Sequence, residues 1–208
     1  MPRGKYVVIE GHDGTGKSTQ VSLLRETLKA KGIESVEFHE PGGTPIADEI
    51  RAVIKNGSLS RDSTTNLLLF TAARHEIWKR AEEQLLAGVW IIAARNYFST
   101  LAYQGYGEGL DIDLITSTTR QFTNQAYMQP DLAVILSLDD ETERGKRIAK
   151  RGELKHPDTF ESKGEEFQQK VKDGYITIAK DHGLPIISAL QQPEMITEQI
   201  YSLLQDQQ

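Results

Sequence analysis

Between the apolar run KYVVIE (Lys5–Glu10) and a stretch of helical period beginning near Lys17 stands GHDGTGKS, Gly11 to Ser18. It matches G-x-x-x-x-G-K-[ST] in the strand-to-helix setting that motif requires. Glycines let backbone N–H groups curl around phosphate oxygens without a Cβ clash, and the following helix N-terminus adds partial positive charge. The ATP-binding set read from the motif is Gly11, His12, Asp13, Gly14, Thr15, Gly16, Lys17, Ser18 and Thr19. Lys17 would reach the β- and γ-phosphates, and the Ser18 hydroxyl would ligate Mg²⁺.

Further β-branched, apolar runs follow at Ser35–His39, Val89–Ala93, Leu132–Leu138 and Pro185–Ser188, separated by helical patterns at roughly 17–31, 45–56, 62–87, 110–127, 140–151, 162–181 and 193–206. Strands alternating with helices predict an α/β fold: a parallel five-stranded sheet flanked by helices in three layers. Asp62 and Asp140 are expected N-caps, and Gly32 and Gly88 are expected to close helices before strands. The polar stretch RGELKHPDTFESKG (Arg151–Gly164) has the composition of a mobile lid, extending over about 147–164.

The chain has 208 residues, 38% of them hydrophobic, enough for one domain spanning 1–208. A formal net charge of −6 and scattered arginines argue against nucleic acid or anionic membrane as a partner. Absence of cysteine excludes disulfides and thiolate metal sites, and His12, His39, His75, His156 and His182 show no ligand spacing. No 18 apolar residues run together and no leader pattern opens the chain, so a cytoplasmic location is the expectation.

Three more segments fall where ligands bind in open α/β sheets, beyond the carboxyl ends of the strands. HEPGGT (His39–Thr44) follows the second strand. LLLFTAARHE (Leu67–Glu76) places Phe70 and Arg74 four residues apart on one helical face, an aromatic plane beside a hydrogen-bonding guanidinium. WIIAARNYFSTLAYQGYG (Trp90–Gly107) is read as leaving the third strand into a polar, aromatic loop.

With IEGHDGTGKST, EPGGTPIADEIR, LLLFTAAR, STLAYQGYG, PDLAVILSLD and DTFE before FQQKVKDGY, nearly the whole chain resembles the thymidylate kinase family, P-loop nucleoside monophosphate kinases. The resemblance implies phosphoryl transfer from ATP to dTMP, with Mg²⁺, in a homodimer packed through long helices such as 62–87. It implies that Asp13 meets the acceptor's 3′-hydroxyl, Phe70 stacks on thymine, Arg74 bonds a base carbonyl and Arg95 holds the acceptor phosphate. Thr100 and Gln104 would line the base pocket, Tyr103 would lie under the sugar, His39 would border the acceptor, and Asp158 and Glu161 match the lid's acidic pair. Gly14 stands where some members carry a catalytic arginine, so the lid should supply it, from Arg151 first and Arg147 second. A loop near Ala189–Pro193 would border the adenine. Together with Lys17 and Mg²⁺, these arginines would surround the equatorial oxygens of a loose transition state.

The family's third strand normally ends in Asp-Arg, whereas this one reads Ala94-Arg95. Alanine offers neither a metal contact nor a base. Three explanations stay open: Glu10, Asp13, Glu40 or Asp158 substitutes; the chain is a slow kinase or a silent nucleotide binder; or it was altered to trap a complex. A kinase for another deoxynucleotide is the further alternative. His39 for arginine, Thr159 for a lid arginine and Asn96 for an aromatic are smaller departures that thin the charge around the phosphates.

Overall fold

The computed structural model describes residues 2–150 and 159–206. Its strands are β1 (Tyr6–Gly11), β2 (Ser35–His39), β3 (Trp90–Ala94), β4 (Leu132–Ser137) and β5 (Ile186–Ser188). Its helices are α1 (Lys17–Ala30), α2 (Pro45–Lys55), α3 (Ser63–Leu86), α4 (Tyr97–Thr100), α5 (Ile112–Phe122), α6 (Gln125–Met128), α7 (Glu141–Ala149), α8 (Glu165–His182) and α9 (Pro193–Gln205). The strands pair in parallel in the order β2-β3-β1-β4-β5.

Strand alternation divides the core in two. Tyr6 and Val8 of β1 face a layer built from Leu67, Ile77 and Trp78 of α3, Ile54 of α2, Ile115 of α5 and Val171 of α8. Val7 and Ile9 face Val21, Leu24 and Leu28 of α1 and Ile196, Ile200 and Leu204 of α9. A strand buried on both faces must be apolar throughout, which is why YVVI reads as a continuous run. Local chemistry ends the helices as expected: Asp62 accepts from Thr65 N at 2.6 Å, Asp140 accepts from Glu143 N at 2.9 Å, and Gly32 and Gly88 take left-handed φ of 74° and 88°.

Two sequence-based expectations need correction. The expected loop after β3 is helical: α4 continues into a π-helical segment, Leu101–Gly107, where Glu108 N donates to Tyr103 O at 2.9 Å. LAYQGYG carries no 3.6-residue apolar period, and wide turns of this kind are held by packing. Gly107 permits it, since a Cβ there would stand 2.6 Å from Phe167 Cε2 of α8. The expected helix 110–127 breaks into α5 and α6, because Asn124 turns its side chain to accept from Tyr127 N at 3.0 Å.

Parallel strands place their carboxyl ends together. Ile9 is in register with both Ala94 and Val134, and His39 with Ala94, so Glu10, His39, Glu40 and Arg95 emerge along one edge.

Candidate active site

The cradle begins where β1 ends. Gly11, Gly14 and Gly16 adopt φ of 138°, 91° and 89°, conformations that bend the backbone toward a central anion. Lys17 is buried and its Nζ donates to the carbonyls of Gly11 and His12 at 2.9 Å each, which keeps the ammonium over the loop. Thr15 Oγ1 donates to His12 O at 2.9 Å, while Ser18 and Thr19 are exposed on the first turn of α1.

Beside the cradle lies a cavity of about 350 Å³. It brings together Asp13, Lys17, Ser18, His39, Phe70, Arg74, Arg95, Thr100, Tyr103, Gln104 and Glu161, residues drawn from five separate stretches of chain. Phe70 and Phe160 form an aromatic wall with ring centroids 6.0 Å apart, and Tyr103 meets Phe160 edge-on at 5.8 Å. Arg74 is 2% exposed; its Nε donates to Glu40 Oε2 at 3.0 Å and its Nη2 to Thr100 Oγ1 at 3.1 Å. Burial pushes the Glu40 carboxyl up, opposed by Arg74 and by the Tyr127 hydroxyl, which donates to it at 2.7 Å.

Arg95 sits at φ 73°, an uncommon conformation for a side-chain-bearing residue. Its Nη2 pairs with Asp13 Oδ1 at 2.5 Å, its guanidinium lies 5.3 Å over the Tyr103 ring, and Tyr103 donates its hydroxyl to Asp13 Oδ2 at 2.7 Å. Burial opposes ionisation of Asp13, but Arg95, Lys17 and the Tyr103 hydroxyl overcome it and hold the carboxyl well below the usual carboxylate range. His39 is pushed down to about 4 by burial and by Arg51, Arg95, Lys17 and Lys55, so it faces the cavity as a neutral imidazole. His12 is likewise lowered to about 4, chiefly by burial, and its Nε2 lies 2.7 Å from Gln168 Oε1.

A family model described as Thymidylate kinase matches residues 9–200. This chain belongs to the thymidylate kinase family. It is 35% identical to a thymidylate kinase of Carboxydothermus hydrogenoformans over 98% of each chain, and 37% identical to one from Exiguobacterium sibiricum over 85% of this chain and 81% of the other. The crystal structure of thymidylate kinase from Ehrlichia chaffeensis superposes with a TM-score of 0.78 at 28% identity, covering 98% of this chain and 100% of that one. These relatives give no support to a silent nucleotide binder or to a kinase for another deoxynucleotide.

Against the family's usual Asp-Arg, the Ala94 methyl is fully buried among apolar side chains at the end of β3. Of the acids considered as substitutes, Asp13 and Glu40 line the cavity but are engaged by Arg95 and Arg74, and Asp158 lies outside the described residues. Glu10 is not among the residues lining the cavity: its carboxylate accepts from Asn96 N, Ser99 N and Ser99 Oγ instead. Arg151 lies outside the described residues as well. Arg147 is directed elsewhere, from its Nε to Glu143 at 2.8 Å and from its Nη1 to Ala189 O at 3.1 Å.

Sequence reasoning missed several cavity residues. Arg51 and Lys55 of α2 line it, and their i, i+4 basic spacing just after EPGGT was a usable signal. Asn96, Ser99 and Phe160 also line it, and Phe160 stands beside the lid's acidic pattern. Arg144 of α7 packs against the cradle, its Cγ 3.0 Å from where a Cβ on Gly14 would lie. Gln168 and Tyr175 reach the site from α8; both lie in FQQKVKDGY, a segment the resemblance had already singled out without giving either a role.

Proposed function

We propose that this chain is a cytoplasmic, single-domain thymidylate kinase that moves the γ-phosphoryl group of MgATP onto dTMP, releasing ADP and dTDP. One observation carries the choice of acceptor. Arg74 Nη1, Gln104 Nε2, Gln104 Oε1 and Asn96 Nδ2 are buried with no hydrogen-bond partner among the described residues. Buried polar atoms cost free energy unless a ligand or water completes them. Thymine completes such a set, its two carbonyls taking the donors and its N3–H meeting the Gln104 oxygen. Cytosine would turn an amino group toward the arginine, donor against donor. Phe70 and Phe160 supply the apolar faces for the ring.

Arg95, with Arg51 and Lys55, holds the acceptor phosphate, and Lys17 holds the donor's β- and γ-phosphates. These cations line one cavity, and a loose transition state requires chiefly alignment of donor and acceptor and positive charge around the transferred group. Asp13 fixes Arg95 and receives the sugar's 3′-hydroxyl, while Tyr103 underlies the sugar. Phe160 and the lid keep water from the transferred group, and a lid arginine, Arg151 or Arg147, completes the charge. The exposed Ser18 hydroxyl, beside nucleotide phosphates, is a donor set that suits Mg²⁺, an ion held by few protein oxygens. Bound there, Mg²⁺ would neutralise charge on the triphosphate. Leu68 and Leu86, 56% and 72% exposed on α3, offer the apolar surface for a homodimer, readable by sedimentation.

A coupled ADP-release assay with MgATP and dTMP, dCMP, dGMP, dAMP or no acceptor tests the reading, run beside Ala94→Asp. Turnover should require dTMP in both proteins. Equal turnover with dCMP, or ADP release without acceptor, would overturn it.

A further inference from the structure

Glu10 is fully buried at the carboxyl end of β1 and is not among the residues lining the cavity; among the described residues no cationic side chain is bonded to it. A carboxylate in that position must be compensated by hydrogen bonds. Five donors provide them. Oε1 accepts from Asn96 N at 2.7 Å and from Ser99 N at 3.1 Å, two amides at the start of α4, the second of which also reaches Asn96 O at 3.2 Å. Oε2 accepts from Ser99 Oγ at 2.8 Å, the Tyr175 hydroxyl at 2.9 Å and Gly11 N at 3.3 Å.

The two hydroxyls have further partners. They lie 3.0 Å from each other and each has one proton; the Glu10 carboxylate, which can only accept, is the stronger acceptor and takes both, so both oxygens are left as acceptors. Arg95 Nη1 donates to Ser99 Oγ at 2.9 Å and to the Tyr175 hydroxyl at 3.2 Å. Burial and the nearby Glu10 charge raise the Tyr175 phenol well above its ordinary value, so it keeps the proton it gives to Glu10. Glu10 therefore grips Arg95 from two directions. It pins the backbone immediately after a residue held at φ 73°, and it orients the hydroxyls that hold the guanidinium.

We propose that Glu10 is a positioning residue for the acceptor phosphate: through Ser99, Tyr175 and the amides of 96 and 99 it sets the direction in which Arg95 faces the cavity. The position of Arg95 as the phosphate holder rests on the thymidylate kinase reading. Asp13 already pairs with Nη2, and a direct Glu10–Arg95 ion pair would put a second carboxylate on the guanidinium and lower its charge toward a ligand further. Routing the carboxylate through two hydroxyls leaves Arg95 oriented without that direct pairing. A glutamine could not do the same: with its oxygen kept on the amides of 96 and 99, its nitrogen would donate to the Ser99 and Tyr175 hydroxyls and compete with Arg95 for their lone pairs.

The test compares binding of dTMP with binding of thymidine, which lacks the phosphate, by calorimetry on the full chain. The proteins are wild type, Glu10→Gln and the double variant Ser99→Ala/Tyr175→Phe, which removes the hydroxyls but leaves the carboxylate. Circular dichroism reports folding, and the double variant stands alone if Glu10→Gln does not fold. Loss of charge-assisted hydrogen bonds predicts a dTMP affinity about 10-fold weaker, with thymidine affinity and the KM for ATP unchanged. A folded variant whose dTMP-to-thymidine affinity ratio matches wild type, or which loses both ligands equally, overturns the positioning role alone. A wild type that binds dTMP no better than thymidine overturns the thymidylate reading and this role with it.

Discussion

Arg95 and Asp13 meet at 2.5 Å beside the cavity, so the residue that follows β3 is clamped to the glycine-rich loop that follows β1. The pair is partly buried, 16% exposed on either side, and Tyr103 completes the carboxylate from below. Donor and acceptor sites are thereby linked through one ion pair.

Asp13→Asn should keep the shape and remove the charge. Arg95 would then be held only on its Nη1 side, by Ser99 and Tyr175, and kcat/KM for dTMP should fall on the order of 100-fold, as for a charge pair broken in a partly buried site. Because the Asp13 carboxyl lies below its ordinary value of 3.8, its stabilising contribution is complete above that pH and is lost only as pH falls toward the folded-state value. The acid limb of a wild-type pH–rate profile above pH 5 should therefore owe nothing to Asp13, and its midpoint should not move in Asp13→Asn.

His12 and His39 set a different pH window. Each has a folded value of about 4 against 6.5 for an ordinary histidine. The unfolded chain thus binds more protons between these values, so stability is complete above about pH 6.5 and declines as pH falls toward 4. Urea denaturation at pH 7 and pH 5 should show a loss of about 1–2 kcal/mol per histidine, partly restored in His39→Gln. An unchanged pH dependence in that variant would count against the assignment.

Gln104 and Arg74 should separate binding from stability. The Gln104 amide has no partner among the described residues, so Gln104→Leu should alter stability by no more than about 1 kcal/mol while raising KM for dTMP about 10-fold. Arg74→Leu strips the buried Glu40 of its cation and should cost about 3–5 kcal/mol of stability. Thermal melts paired with KM measurements distinguish the two.

Gln168 ties the cradle to the cavity wall. Its Oε1 meets His12, and its Nε2 donates to Phe160 O at 2.8 Å and Lys163 O at 3.1 Å. Gln168→Leu should loosen Phe160 against Phe70 and raise KM for dTMP about 3–10-fold, with a smaller change in KM for ATP. An effect confined to ATP would refute that link.

The sequence by itself determined the sheet, because fully buried strands must be continuous apolar runs and the cradle must sit between a strand and a helix. Spacing pointed to Lys17 in the phosphate loop and to Phe70 and Arg74 on one helical face, while Arg95 and Gln104 were named only through the family resemblance; all five line the cavity. The sequence failed at LAYQGYG, where Gly107 and Phe167 of α8 decide the backbone from 60 residues away. It left Glu10 as one of four candidate substitute acids and gave no sign of its bonds to Ser99 and Tyr175. Residue types announce which protons and charges are available, and local spacing announces which share a face. Only tertiary packing decides which buried carboxylate meets which hydroxyl, because partners 89 and 165 residues apart leave no mark on each other's neighbourhood in the chain.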